Sequence, residues 1–356
     1  MGETRYHTLA WLTWLLAAAP WALLNQQPLP RLLLCLSVGG VFVACAPASE
    51  VRRGWAAFIR LGLIAWGVAL VFNLFSVHVG GHVLFTLPRS WPIVGGPITL
   101  EALLYGMASG MGLFAILLVF AAFNAVVDAH RLLRWVPAGL FGAGLVVSIG
   151  ITFVPHLVAS WHEIRDAQRV RGHRVRGVRA LVPLFVPLLT TALERSLTLA
   201  ESMEARGFGG VAREGSKGLQ TAAPGLSVGG LCLVLGGLVA HSFAVVSNLA
   251  GWGAVVGGLL AMLAAVALRG RAVRRGRYHR ECWGRADAGV VVPSLLSLGI
   301  LVALKVWLPQ ILYYYPYPPY SPWPRFDLLA GFASLLLSAP AVWRVLAGSA
   351  GQEVRA

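Results

Sequence analysis

Apolar residues gather in nine long blocks, 9–24, 32–47, 61–77, 102–124, 137–157, 226–247, 252–268, 289–308 and 327–346, and nearly all charge lies between them. About 20 apolar residues in a helix match the hydrocarbon thickness of a bilayer. The blocks lack the period-two alternation of barrel strands, and inside hydrocarbon only a helix or a closed barrel satisfies its own backbone hydrogen bonds. The pattern therefore predicts an all-α, polytopic membrane protein with a cytoplasmic coupling region of amphipathic helices. The first block follows Met1 to His7 without a small-residue cleavage signal, so it reads as a retained helix.

Composition strengthens this picture: of 356 residues, 57% are hydrophobic and only 12% charged, far from the roughly 25% charged residues of soluble domains. The net charge of +15 is confined to particular connections, which argues against a nucleic-acid surface. Arg52, Arg53 and Arg60 follow the second block, and Arg131 and Arg134 the fourth. Arg165, Arg169, Arg171, Arg174, Arg176, Arg179, Arg195, Arg206, Arg213 and Lys217 follow the fifth. Arg269, Arg271, Arg274, Arg275, Arg277, Arg280 and Arg285 separate the seventh from the eighth. Basic connections mark the cytoplasmic side. A cytoplasmic N-terminus satisfies the first four blocks, but a crossing fifth block would put its arginines outside. Gly139, Gly142, Gly144, Pro155 and His156 fit a helix that lies at the inner face instead. The expected plan is thus eight spans in the plasma membrane of a prokaryote, both termini inside. Residues 1–136 supply about four spans, 137–222 the coupling region, and 223–356 about four more. Arg31, Arg89 and Arg325 are left in outer loops.

Residues 78–98 read as a hairpin-like outer loop, because short β-branched and aromatic stretches are broken by Pro and Gly. YYYPYPPYSPWP at 313–324 suits a stiff loop at the lipid headgroups. Cys35, Cys45, Cys232 and Cys282 have no metal-ligand spacing, and the first three are expected as small buried hydrophobes. Glu101 is expected to cap its helix, Asn73 to hydrogen-bond between helices and Lys305 to snorkel. His78 and His82 are four apart, but Gly80 and Gly81 intervene and further ligands are missing, so no metal site is expected.

The long polar stretch 160–222 contains EIRDAQRVRGHR at 163–174 and ERSLTLAESMEARGFGG at 194–210. In each, helix formers lead to Arg and then Gly. A cation in the last turn followed by glycine is the ordinary helix stop. Two features point beyond it. Leu193, Leu197, Ala200, Met203 and Ala205 recur near the helical period among Glu194, Arg195, Glu201, Glu204 and Arg206, an apolar stripe that needs cover. Each end also presents a guanidinium that can fork onto a partner's carboxylate, and a helix seated in a groove accounts for both.

On these motifs the sequence resembles the transmembrane T component of energy-coupling factor transporters, the EcfT/CbiQ family. AQRVRG at 167–172 and MEARGFG at 203–209 are similar to that family's paired Ala-Arg-Gly signatures. RYHTLAWL near the N-terminus, FNLFSVHVGGHVLF at 72–85, ITLEALLYG at 98–106 and ITFVPHLVASWHEIRDAQ at 151–168 extend the resemblance across residues 5 to 290. Val170 stands where the family usually has Ala, and the last two spans are unmatched. The resemblance implies a non-catalytic scaffold joining two ABC ATPases, which bind ATP and Mg, to a small substrate-binding S subunit for uptake of a vitamin or transition-metal ion. It places Arg165, Ala167, Gln168, Arg171, Gly172, Glu204, Ala205, Arg206 and Gly207 at the ATPase contact. Membrane lipid is the other expected partner, and nucleic acid is not.

The residues agree with a chain that has no chemistry of its own. GxxxxGK[ST] and HEXXH are both missing, so no P-loop and no zinc-protease motif is expected. No cluster of candidate catalytic residues is evident within the blocks. A self-contained secondary transporter is the alternative, and it would require ionisable residues in the spans and an internal repeat.

Overall fold

The computed structural model describes residues 6–46, 51–88, 95–133, 135, 140–172, 181–208, 217–242, 248–271 and 283–353. Among them α1 (Thr8–Leu24), α2 (Pro28–Cys45) and α3 (Val51–Ser76) are followed by β1 (Val83–Thr86), β2 (Pro97–Thr99) and α4 (Leu100–Val126). Then come α5 (Ala129–Leu133), α6 (Phe141–Val170), α7 (Val182–Ala205), α8 (Lys217–Ser242), α9 (Asn248–Arg271), α10 (Arg285–Trp307), α11 (Pro309–Leu312), α12 (Leu328–Leu336) and α13 (Ala339–Glu353). The protein is all-α, with one antiparallel pair among the described residues, β1 with β2. Among the described residues six helices are long and apolar enough to cross a membrane: α2, most of α3, α4, Gly142–Val170 of α6, α7 and α10. It is a multi-pass membrane protein. Arg89, Arg134, Arg174, Arg176, Arg179, Arg213, Arg274, Arg275, Arg277, Arg280 and Cys282 lie outside the described residues, as do the side chains of Arg52, Arg53, Lys217, Arg269 and Arg271.

The chain forms two compact units, 1–128 with 280–356, and 129–279. In the first, α1 packs on α4 and α10, α2 on α4, α12 and α13, and α3 on α4. The α1 core is aromatic: Trp11, Trp14 and Trp21 are buried, and the polar edges of Trp14 and Trp21 are aimed at main chain. Trp14 Nε1 donates to the Leu337 carbonyl at 2.8 Å and Trp21 Nε1 to that of Ser297 at 3.1 Å. Buried indole N–H groups need such acceptors. At one end of this bundle Tyr6 OH donates to Pro340 O, Arg344 Nη1 to Cys45 O, and His7 N to Asp287 Oδ1. At the other, here termed the hairpin end, Gln26 N donates to Leu312 O and Gln27 Nε2 to Tyr313 O.

The α3/α4 contact is closer than side chains would allow. A Cβ at Gly110 would collide with the Trp66 ring and sit 2.9 Å from its carbonyl oxygen, and one at Gly106 would sit 3.2 Å from Leu70 Cα. Small residues permit such approach in membranes, where close packing replaces the hydrophobic drive. Gly110→Leu should therefore destabilise by about 1–3 kcal/mol, read as a lowered unfolding temperature in detergent. Gly67→Leu on α3, with nothing within 4 Å, is the near-neutral control.

Several expectations are corrected. The block 327–346 is not one straight helix but α12 and α13, bent by 53°, because Pro340 lacks an N–H and Ser338 O instead accepts from Ala341 and Val342. Counted as one broken span, the pair makes a seventh. Arg31 is not in a loop: α2 starts at Pro28, and Arg31 is buried within it. Asn73 Nδ2 bonds the Ala69 carbonyl of its own helix rather than a neighbour. The α4 cap is Thr99, whose Oγ1 accepts from Ala102 N at 3.3 Å. Glu101, fully buried, instead accepts from Gly81 N, His82 N and His82 Nδ1, tying the hairpin to the helix. Cys45 is buried as expected, but Cys232 is exposed. The Tyr/Pro run lies at the surface with Tyr313, Tyr315, Tyr320 and Trp323 exposed, but Tyr314 and Tyr317 turn inward and are buried. Lys305 ends beside Tyr313, 3.2 Å from its hydroxyl.

Within the second unit α5 packs on α6, α6 on α7, and α8 pairs with α9, where Gly230 and Gly258 sit against each other's helix backbone. Residues 141–157 of that block enter the polar stretch without a break, as the single helix α6 through Pro155. Its portion Gly142–Val170 also has the length and composition of a span.

Candidate functional site: two Arg-Gly helix ends

The helix α6 stops at Val170 with Arg171 as its C-cap, and α7 stops at Ala205 with Arg206 as its C-cap. The residue after each is a glycine with positive φ, +80° at Gly172 and +79° at Gly207. A side chain there would meet the carbonyl of its own residue, so glycine reverses the chain at little cost. In the second end, Gly207 N donates to Glu204 O at 2.8 Å and Phe208 N to Met203 O at 2.9 Å. These two bonds are the Schellman pair that satisfies the last carbonyls of a helix. In the first, Gly172 N donates to Arg169 O at 2.9 Å and Arg171 N to Ala167 O at 3.3 Å. The two sequence motifs are therefore one structural device used twice.

The device leaves the cation outward. Arg171 and Arg206 are exposed, and among the described residues neither side chain has a hydrogen bond or ion pair. Arg165 behaves differently: half-buried, it lies 3.9 Å from Asp166, which is also 3.8 Å from Arg169. It belongs to a cluster along α6 rather than to the helix end. Ala167 and Glu204 serve through their carbonyls, Ala205 is the last helical residue of α7, and Gln168 sits half-buried in the last turn of α6.

Two apolar side chains accompany the arginines and were not among the contact residues expected from the sequence. Val170 is 90% exposed and Phe208 47%. Each adjoins its Arg-Gly pair, so each end offers an apolar contact beside a cation. The signal was in the strings VRG and RGF, where an apolar residue abuts a helix stop that faces solvent. The expected stripe on α7 is largely open: Leu193, Leu197, Ala200 and Ala205 are exposed and Met203 is half-buried, and the exposed Val182, Val186 and Leu189 extend it toward the helix start at spacings of three or four. Among the described residues no group of three or more His, Cys, Asp or Glu is placed to hold a metal ion.

The sequence profile of the CbiQ family, described as cobalt transport protein, matches residues 7–217. This chain belongs to the CbiQ family. The match contains α1 to α7 and both Arg-Gly ends, and it is narrower than the stretch 5–290 over which the motifs resembled the family; α8 onward lies beyond it. Similar proteins bear the name energy-coupling factor transporter transmembrane protein EcfT. That of Bacillus selenitireducens is 29% identical over 185 residues, 49% of this chain and 67% of the relative. The EcfT 1 of Listeria monocytogenes is 25% identical over 176 residues, 43% of this chain and 64% of the relative. That of Bacillus subtilis is 40% identical over 72 residues, 18% of this chain and 27% of the relative. The aligned regions thus span between about a quarter and two thirds of these relatives' length.

Proposed function

We propose that this CbiQ-family protein is the membrane coupling subunit of an energy-coupling factor importer, passing the motion of two cytoplasmic ATPases to a small substrate-binding membrane subunit. The observation that carries the reading is the duplicated helix end, Arg171-Gly172 and Arg206-Gly207, with each guanidinium exposed and without an intramolecular partner among the described residues. A guanidinium fork held at a rigid helix end is matched to a carboxylate on another protein, and Val170 and Phe208 add apolar contact beside it. Two such ends suit two ATPase subunits, alike or different. ATP and Mg belong to those partners, since the sequence has no P-loop lysine motif.

In this reading α6 and α7 lie at the cytoplasmic face, as the arginines of 165–217 require under the positive-inside rule, and both chain termini are cytoplasmic. The exposed α7 stripe then rests against the substrate-binding subunit or lipid. Closing of the ATPases on ATP displaces the two helix ends together, and the apolar stripe carries that displacement to the substrate-binding subunit. The cargo is a micronutrient, a vitamin or a transition-metal ion, chosen by that subunit.

Cysteine cross-linking tests the docking directly. Phe208→Cys and Val170→Cys should each form a disulfide with single cysteines lining an ATPase groove, with a yield that changes between ATP and nucleotide-free states. Absence of any cross-link in both states, with the complex otherwise assembled, would sink the reading.

A further inference from the structure

The hairpin between α3 and α4 carries apolar side chains that the coupling reading leaves unused. Its two strands differ sharply in burial. On β2, Ile98 and Thr99 are buried, whereas all four residues of β1 are exposed, Val83, Leu84 and Phe85 each by more than half. Phe85 and Thr86 pair in step with Ile98 and Pro97 and so point to opposite faces. Both faces of β1 are therefore uncovered, as are Val83 and Leu84 in the register shift before them. The sheet has two strands, so among the described residues no strand lies along the outer edge of β1.

In water such a strand invites pairing with other chains, and proteins blunt it with charge or proline. Residues 77–99 carry one formally charged side chain, Arg89, and no carboxylate. Hydrocarbon does not suit β1 either, because an unpaired backbone edge finds no hydrogen-bond partner there. The layer between meets both needs: headgroups and water reach the backbone, and the acyl chains begin within reach of the side chains.

The depth of the hairpin is set by α4, a helix with the length and composition of a span. Leu100 N donates to His82 O at 2.9 Å, Glu101 accepts from Gly81 N and His82 N, and Thr99 Oγ1 donates to Val79 O at 3.1 Å. β1 therefore starts where the apolar helix starts, at the hydrocarbon boundary. The register puts Phe85 opposite Ile98, two residues before Leu100, or about 7 Å along a strand. The polar layer on each side of a bilayer is itself about 5–8 Å deep, so Val83 to Phe85 stay in it at any tilt. On the other side of the hairpin α3 exposes Val71 and Phe72 in its last two turns, and Val79, 62% exposed, follows.

We propose that β1 is a lipid-binding strand. Val83, Leu84 and Phe85 insert at the boundary between headgroups and acyl chains, and the outer backbone edge is hydrogen-bonded by headgroups and water. Because Leu100, Glu101 and Thr99 tie the hairpin to α4, the inserted strand fixes the depth of the α3/α4 pair in the bilayer.

The test uses the full purified chain in nanodiscs of phosphatidylethanolamine and phosphatidylglycerol. Leu84→Cys and Phe85→Cys carry nitroxide labels, with the four native cysteines replaced by alanine. Power saturation compares collisions with oxygen, which concentrates in lipid, and with nickel-EDDA, which stays in water. Both labels should meet oxygen severalfold more than nickel-EDDA, the reverse of the label free in water. Benzoylphenylalanine at position 85, with every native cysteine kept, gives a second reading: irradiation should add the mass of one phospholipid. Nickel-EDDA dominant at either label places the strand in water and overturns the proposal. Poor access for both reagents, or the absence of a lipid adduct, overturns it as well, and cross-linking to a second copy would show that protein covers the strand instead.

Discussion

Cutting the chain after residue 282 should leave no stably folded protein in the membrane, although that cut spares everything the family profile matches, residues 7–217. The removed part, α10 to α13, supplies the acceptors for Tyr6, Trp14, Trp21 and Gln27 and the carboxylate that receives His7 N. Each of the four side-chain donors left buried and unpaired costs about 1–3 kcal/mol, and the α1 face that packs on α10 loses its close contacts as well. The sum reaches or exceeds the roughly 5–15 kcal/mol that holds a typical fold together. Fluorescence-detected gel filtration should show the loss of the monodisperse peak given by the full chain, whereas a cut after residue 346, beyond the last of these contacts, should keep it. A monodisperse 1–282 protein of unchanged melting temperature would show that α10 to α13 are an accessory rather than part of the bundle.

Reversing both exposed arginines, Arg171→Glu with Arg206→Glu, should abolish co-purification of the ATPases and all transport, with membrane insertion and melting temperature unchanged. Charge-assisted hydrogen bonds of this kind contribute about 1.5–3 kcal/mol each, and reversal also sets like charge against the partner's carboxylates, so loss at both ends exceeds 10²-fold in affinity. Each single reversal should weaken the complex by at least tenfold without removing it. The fold is spared because neither side chain has an intramolecular partner among the described residues, and the turns are held by main-chain bonds to Gly172, Gly207 and Phe208. Undiminished complex in the double variant would refute the docking role of both helix ends.

The helix ends were the most legible part of this molecule. Gly172 and Gly207 adopt the left-handed turn that the order helix former, Arg, Gly announces, because helix termination depends on a few neighbouring residues and hardly on the rest of the fold. The apolar blocks became helices for the same local reason: their backbone needs are met within each segment. Even the hairpin at 83–99 was signalled by residue types that break helices and favour extended chain.

What a side chain meets across space was not legible. Glu101 and Arg31 both lie near helix starts, where sequence suggests a cap and a loop cation. Yet Glu101 is spent on His82 nineteen positions earlier, and Arg31 on Ala108, 77 positions later. The indole acceptors of Trp14 and Trp21 lie 323 and 276 positions away. Hydrophobic periodicity reports that a face is apolar but not which surface covers it, and in a membrane protein lipid and helix are equally apolar. The sequence alone determined the class, the helices and the two Arg-Gly stops, all set by interactions within one or two turns. Only the tertiary structure decided that the last helices complete the first, which glycines let α3 and α4 touch, and that Arg31 is buried against α4, because those depend on packing between segments far apart in the chain.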